Sequence, residues 1–173
     1  MIALFAFWTV DRHGRPTHPD AADPWGDRSP FDALENRQVG AANDRETVGP
    51  WLTVADEATG AVHFAGDVSG ALRSFAAEVY ERAGFTPKPD ADPVDAALEA
   101  CNVLASEAAD EWGREAVYDW CEPNPDTSRS PRRMPEQTRR NIHEGAQKVG
   151  REVAADALRD HLLARALPAR RAA

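Results

Sequence analysis

The sequence has little lysine, and this shortage limits what its arginines indicate. Lysine occurs only at positions 88 and 148, so 18 of the 20 basic residues are arginine. Alanine is abundant as well, and this combination is what a GC-rich coding sequence produces. A single arginine is therefore weak support for bidentate anion binding, although that is the chemistry in which arginine differs most from lysine.

Long apolar runs are also missing. The longest near the amino terminus, residues 2–10 (IALFAFWTV), has nine residues, whereas a membrane-spanning helix needs about 20. No basic region precedes this run and no small-residue cleavage site follows it, so it does not have the pattern of a signal peptide. We therefore expect a soluble cytoplasmic protein without a membrane span.

Cysteine occurs twice, at Cys101 and Cys121. The two positions fall in one predicted helix, where a rise of about 1.5 Å per residue would separate them by roughly 30 Å. A disulfide needs Cα atoms within about 7 Å, so the two cannot pair. We interpret both as small hydrophobic side chains rather than as redox-active thiols.

The strong catalytic and nucleotide-binding motifs are absent. The chain contains no GxSxG, HExxH, GxGxxG, GxxxxGK[ST] or CxxC pattern. No serine has a base close to it in sequence that would make it a nucleophile. The sequence therefore leans against an enzyme, and it indicates no cofactor.

What the chain does have is enough length and apolar content for one folded domain. It contains 173 residues, of which 42% are hydrophobic and 28% charged, values typical of globular proteins. We predict a single domain over residues 1–167, with strands within 1–66 and helices within 67–167. Residues 168–173 are predicted to be a frayed tail.

The strand signals lie in the amino-terminal part. Residues 2–10 are continuously apolar and stop at Asp11, which predicts a central strand buried on both faces. Residues 11–50, rich in Pro, Gly and Asp, predict a loop that contains at most a short helix over 30–37. Residues 51–66 predict a β-hairpin, with Gly60 supplying the left-handed turn conformation.

The helix signals follow. Asp67 or Ser69 begins the first predicted helix and Gly84 ends it, while longer helices are predicted over 93–121 and 135–167. The expected fold class is α+β: an amino-terminal strand and a hairpin form a small antiparallel or mixed sheet that packs against three carboxy-terminal helices.

The net charge of −9 conceals a strong partition. Residues 89–126 hold 11 acidic groups against Arg114 alone, a net charge of −10, whereas residues 127–173 hold 11 basic and 5 acidic groups, a net charge of +6. The two segments either neutralise each other as an antiparallel helix pair or leave one charged face open to a partner.

Our preferred interpretation is a small regulatory protein that binds another protein. An acidic helical face with nearby aromatic side chains suits a basic, partly apolar partner. The candidate residues are Glu107, Glu111, Glu115, Tyr118 and Trp120. The sequence gives no indication of the oligomeric state.

A first alternative is binding to nucleic acid or another phosphate through an arginine cluster. Its members are Arg129, Arg132, Arg133, Arg139 and Arg140. The isoelectric point of about 5.0 argues against this alternative, because duplex-binding domains are usually basic overall. A local site survives this objection, since electrostatic fields act over a Debye length of about 8 Å.

A second alternative is a metal-dependent enzyme. The predicted loop after the first strand supplies nitrogen and oxygen ligands within a short span, namely His13, His18, Asp20 and Asp23. Divalent metals bind such groups, but the spacing matches no established metal motif. Histidines in solvated loops are commoner than metal ligands.

Overall fold

The computed structural model describes residues 2–11, 13, 15–16, 26–44, 46–86, 90–122 and 130–166. Three strands and four α-helices are present in this part of the chain, with a short 3-10 turn, Pro131–Arg133, before the last helix. In order they are β1 (Ala3–Val10), α1 (Pro30–Asp44), β2 (Thr47–Asp56), β3 (Val62–Asp67), α2 (Ser69–Ala83), α3 (Pro93–Cys121) and α4 (Glu136–Ala166). The predicted α+β fold class is confirmed.

The three strands form one antiparallel sheet in the order β1-β2-β3. The register places Phe5 opposite Val54 and Phe7 opposite Leu52. Strands β2 and β3 form the predicted hairpin, and Gly60 in its turn has a φ of +67°. This conformation favours glycine because it has no Cβ atom.

The prediction that the first strand is central is wrong, because β2 occupies the middle of the sheet. Both faces of β1 are nevertheless buried, as shown by Phe5 and Phe7 on one face and Ala6 on the other. Its outer edge is partly covered as well: Phe5 and Asp27 exchange backbone hydrogen bonds of 2.7 and 2.9 Å. A protected edge strand thus produces the same continuous apolar pattern as a central one.

The prediction of a loop over residues 11–50 is wrong for its second half. Helix α1 extends to Asp44, and β2 begins at Thr47 rather than at position 51. The Ser29 hydroxyl accepts a 3.1 Å hydrogen bond from the backbone N–H of Asp32, and proline follows directly at position 30. Ser29 is thus the capping residue of α1. Proline is tolerated at the first helical position because the N–H that it lacks would have no partner within the helix. Helix α1 packs on β1 and β2.

The helices after the sheet have the predicted bounds to within one residue at α3 and α4. Helix α2 ends at Ala83 and is capped by Gly84, whose φ is +74°, and the backbone N–H of Phe85 donates to the Tyr80 carbonyl. At its start, the Asp67 carboxylate accepts a hydrogen bond from the Ser69 backbone N–H. These contacts satisfy backbone groups that the helix leaves unpaired.

The chain divides into two compact units, which we call unit 1 and unit 2. Unit 1 comprises Met1–Cys101 with Ala155–Ala173, and unit 2 comprises Asn102–Ala154. Among the described residues, the largest fully buried side chains all belong to unit 1, including Phe5, Leu34 and Leu72. The proposal of one domain over 1–167 stays a prediction.

Candidate functional site

Four of the side chains predicted to bind a partner lie along one exposed face of α3, which we call the acidic face. Glu111, Glu115 and Tyr118 border a shallow surface depression of about 500 Å³ together with Arg114. Tyr118 is 66% exposed. Glu107 is exposed one helical turn before Glu111, so it extends the same face. The predicted acidic residues and the tyrosine are thus neighbours on the surface.

Trp120, the fifth predicted residue, does not belong to this face. Successive helical residues are rotated by about 100°, so nine residues place Trp120 half a turn away from Glu111. Its side chain is half-buried. A tryptophan close in sequence to an acidic helix is therefore not part of the same surface here.

Within unit 2, helices α3 and α4 approach closely because glycines face the contact. A Cβ atom on Gly150 would collide with the backbone carbonyl oxygen of Ala105 and lie 3.2 Å from Ala109 Cβ. A Cβ atom on Gly145 would lie 2.7 Å from the Trp112 ring. These positions tolerate no larger side chain unless the helices or the ring move.

Beside this contact runs a groove of about 880 Å³, which we call the α3–α4 groove. Its floor is apolar and consists mainly of small residues: Ala105, Ala109, Gly113, Val117, Ile142 and Ala146. Ala146 is buried, whereas the other five are only half-buried. The groove is therefore an apolar surface that the two helices leave partly open.

The rim of the α3–α4 groove is polar and predominantly basic. It carries Ser106, Asp110 and Arg114 from α3, and Arg139, His143, Gln147 and Arg151 from α4. Three arginines against one aspartate give the lining a net charge of +2 with histidine neutral. The groove thus keeps a net positive charge, although the adjacent acidic face belongs to the same helix α3.

The predicted arginine cluster is only partly brought together. Arg129 and the side chain of Arg132 lie outside the described residues, and Arg133, Arg139 and Arg140 are exposed. Arg139 lines the α3–α4 groove, whereas Arg140, rotated by about 100°, lies 3.9 Å from Glu136. Phosphate binding by the five arginines stays a prediction.

Three of the four predicted metal ligands, His18, Asp20 and Asp23, lie outside the described residues. His13 is exposed, and its backbone N–H donates a 2.7 Å hydrogen bond to the Asp11 carboxylate. The backbone N–H groups of Arg15 and His13 lower the pKa of Asp11. No group of three or more potential metal ligands occurs within the described part of the chain.

The structure also brings together three side chains that the sequence does not connect. Ser74 Oγ on α2 lies 2.9 Å from His161 Nε2 on α4, and His161 Nδ1 lies 3.4 Å from a Glu78 carboxylate oxygen. Phe75 packs against the imidazole, with ring centroids 5.5 Å apart. The order serine, histidine, carboxylate is that of a hydrolytic triad.

The surroundings of this cluster favour a structural role over nucleophilic catalysis. The Ser74 hydroxyl donates a 3.0 Å hydrogen bond to the Ala71 carbonyl, and Arg165 lies 3.1 Å from the Glu78 carboxylate. Burial lowers the pKa of His161. Ser74 and Glu78 are four residues apart, which indicates a shared helix face, but no local pattern links them to position 161.

The surroundings of Cys101 are not those of a reactive thiol. Both cysteines are free, with Cys101 buried and Cys121 half-buried. Burial raises the pKa of the Cys101 thiol to about 12, so the nucleophilic thiolate is scarce at neutral pH. The interpretation of Cys101 as a buried hydrophobic side chain is confirmed.

A third and smaller cavity of about 290 Å³ lies in unit 1, lined by β1 and α1. Arg37 lines it and donates a 3.4 Å hydrogen bond to the Thr9 hydroxyl. Among the described residues, the buried Nε of Arg37 has no hydrogen-bond partner. Because this nitrogen is already enclosed, a ligand in the cavity would reach it only after a side-chain movement.

Comparisons of the chain with family models, with curated proteins and with solved structures give no match. Over the described residues, none of the helices has both the length and the apolarity that crossing a membrane requires.

Proposed function

We propose that the chain is a regulatory protein of the cytoplasm that binds a basic, partly apolar segment of another protein through the acidic face. The observation that carries this proposal is the shared exposure of Glu111, Glu115 and Tyr118 around one surface depression. The proposal assigns no reaction to the chain.

The side-chain chemistry supports a partner of this kind. Carboxylates attract lysine and arginine side chains during the encounter, and this attraction selects partners by charge. Tyrosine adds apolar contact area and a hydroxyl group, a combination that is enriched at protein interfaces. Arg114 beside the carboxylates would repel a misplaced cation and so favour one orientation of the bound segment.

The two free cysteines support a reducing compartment such as the cytoplasm. Disulfides persist mainly in secreted and extracytoplasmic proteins, where free thiols are less common.

The proposal is tested by selecting binding segments from a display library of random peptides. We expect the selected peptides to be rich in lysine and arginine and to contain apolar residues. Replacing Glu107, Glu111 and Glu115 by glutamine should weaken their binding by about tenfold or more, because three attractive charges are removed. Tyr118→Ala should weaken it by roughly fivefold through lost contact area. Isothermal titration calorimetry measures both effects.

A matched control separates a site from a general charge effect. Glu46, Glu81 and Glu144 are exposed and do not belong to helix α3. Their triple glutamine variant changes the net charge by the same amount and should bind the selected peptides like the wild type. Equal losses in both triple variants, or selected peptides without a positive charge, would contradict the proposal.

A further inference from the structure

Unit 2 has apolar side chains that are only partly buried, whereas the large apolar side chains of the unit 1 core are completely buried. In unit 1, Leu34, Leu52 and Leu72 are 0% exposed. In unit 2, Val117 and Ile142 on the floor of the α3–α4 groove are only half-buried. An apolar face that two helices do not cover is a surface on which a further element gains stability by docking.

The shape of the α3–α4 groove suits a helix. From Ala105 to Val117 the floor follows α3 for twelve residues, about 18 Å at 1.5 Å per residue. Alanine and glycine dominate this floor, and small side chains allow a third helix axis to come close, as in a three-helix arrangement. Apolar side chains at positions i, i+3, i+4 and i+7 of a docked helix form one stripe, and this stripe would contact the groove floor.

The positive charge of the groove rim favours a docked helix that carries negative charge. The lining carries a net charge of +2, in a chain whose total is −9. Arg114 stands on the α3 side and donates a 3.2 Å hydrogen bond to the Asp110 carbonyl, while Arg139 and Arg151 stand on the α4 side. Arg139 donates a 3.4 Å hydrogen bond to the Pro131 carbonyl. A guanidinium group has five N–H donors, so one such bond leaves further donors on the same side chain. Acidic side chains flanking an apolar stripe would therefore meet arginine on both sides of the groove.

We propose that the α3–α4 groove docks an acidic amphipathic helix of a partner protein. Its apolar stripe lies on the Ala105–Val117 and Ile142–Ala146 floor, and its carboxylates pair with Arg114, Arg139 and Arg151. This site lies beside the acidic face, with which it shares Arg114, and takes a partner of opposite charge. It does not depend on the function proposed above.

A designed peptide tests the proposal directly. The probe is a helix of about 18 residues, long enough to be partly helical in water, with a leucine stripe flanked by glutamates. A second peptide replaces every glutamate by lysine. We expect the full-length chain to bind the glutamate peptide, and Arg139→Gln with Arg151→Gln to weaken this binding by about tenfold, since two attractive charges are lost.

Arg140→Gln is the matched control, because Arg140 neighbours Arg139 in sequence but does not line the groove. It should leave the affinity unchanged. Charge reversal adds a rescue: the double variant Arg139→Glu and Arg151→Glu should bind the lysine peptide in preference to the glutamate peptide. Circular dichroism establishes that each variant is folded, and the rescue is informative even if one neutralised variant loses stability.

Three results would overturn the proposal. The first is equal binding of both peptides by the wild type, and the second is an equal loss of affinity with Arg140→Gln. The third is a dimer of the chain without peptide that dissociates when Arg139 and Arg151 are replaced, because the occupant would then be a second copy. Sedimentation velocity detects that dimer. The glutamine variants of the acidic face should bind the glutamate peptide at least as tightly as the wild type, which keeps this test independent of the previous one.

Discussion

Units 1 and 2 bury their apolar side chains to very different extents. Leu34 and Leu72 in unit 1 are completely buried, and so are Phe5 and Phe7 at the sheet. The floor of the α3–α4 groove in unit 2 is largely half-buried, and its contact between helices relies on glycine and alanine. Leu104 and Met134 of unit 2 are buried as well, but among the described residues unit 1 holds most of the buried large apolar side chains, which are the main source of stability.

The charged groups of the two units differ in part. Unit 1 has an ion pair between helices, Arg165 with Glu78 at 3.1 Å, and also a pair within α4, Arg159 with Asp156. In unit 2, Arg140 with Glu136 and Lys148 with Glu152 are pairs within α4 itself. Pairs of the second kind stabilise one helix by roughly 0.2–0.5 kcal/mol and fix no tertiary arrangement.

The largest effect on the free energy of unfolding should come from a cavity in the core of unit 1. We expect Leu34→Ala to lower the free energy of unfolding by about 3 kcal/mol, because a fully buried leucine leaves a cavity when it is truncated. Ile142→Ala in unit 2 should cost less than about 1 kcal/mol, since that side chain is half-exposed already. Urea denaturation of both variants measures the difference. Equal losses would show that the floor of the α3–α4 groove is covered as completely as the core of unit 1.

A second substitution tests the close contact between α3 and α4 in unit 2. Gly150→Ala places a methyl group against the Ala105 carbonyl oxygen, a backbone atom that cannot rotate away. We expect a loss of about 1–3 kcal/mol, typical of overpacking. Hydrogen exchange of unit 2 amides measures the opening of this unit.

Gly40→Ala is the control for this substitution. Gly40 is a helical glycine of α1, and a Cβ atom added to it would meet no atom of the described residues within 4 Å. Alanine there should be neutral or stabilising by up to about 1 kcal/mol, because alanine favours the helix. If both variants gained stability, the two helices of unit 2 would be more loosely packed than the structure indicates.

Much of the fold could be predicted from local sequence patterns. The stop at Gly84, the turn at Gly60 and the bounds of α3 and α4 all follow from residue types within a few positions. The sequence pattern underestimates helix α1 because its apolar residues are sparse and Gly40 interrupts them, while packing on β1 and β2 stabilises it. The edge position of β1 follows from the strand order, and the cover of its outer edge comes from Asp27, which is distant in sequence.

The candidate sites also differ in how far local sequence patterns predict them. The acidic face is a single-helix feature, so the four-residue spacing of Glu107, Glu111 and Glu115 predicts it. The α3–α4 groove joins residues more than 20 positions apart, such as Val117 and Ile142, and no local period reveals it. The contact of Ser74 with His161 spans 87 positions and depends entirely on the packing of α2 with α4.

The smallest expected effect concerns His161 in unit 1 and its dependence on pH. Burial is the main reason that its pKa lies below 6.5 in the folded chain, and Arg165 acts in the same direction while Glu78 opposes it. As pH falls through the unfolded value of about 6.5, the unfolded chain takes up a proton that the folded chain does not. The free energy of unfolding should therefore decrease below that pH until the folded pKa is passed, and above it this histidine should contribute no pH dependence.

His161→Gln should remove this decrease of the free energy of unfolding below about pH 6.5. His143→Gln is the matched control, since His143 lies on the same helix but is exposed and contacts only Gln147 among the hydrogen bonds described. Urea denaturation at several pH values compares the two variants with the wild type. The opposite result would contradict this assignment: the slope of the free energy of unfolding against pH would persist in His161→Gln and disappear in His143→Gln. The histidine responsible would then be the exposed one in unit 2 and not the largely buried one in unit 1.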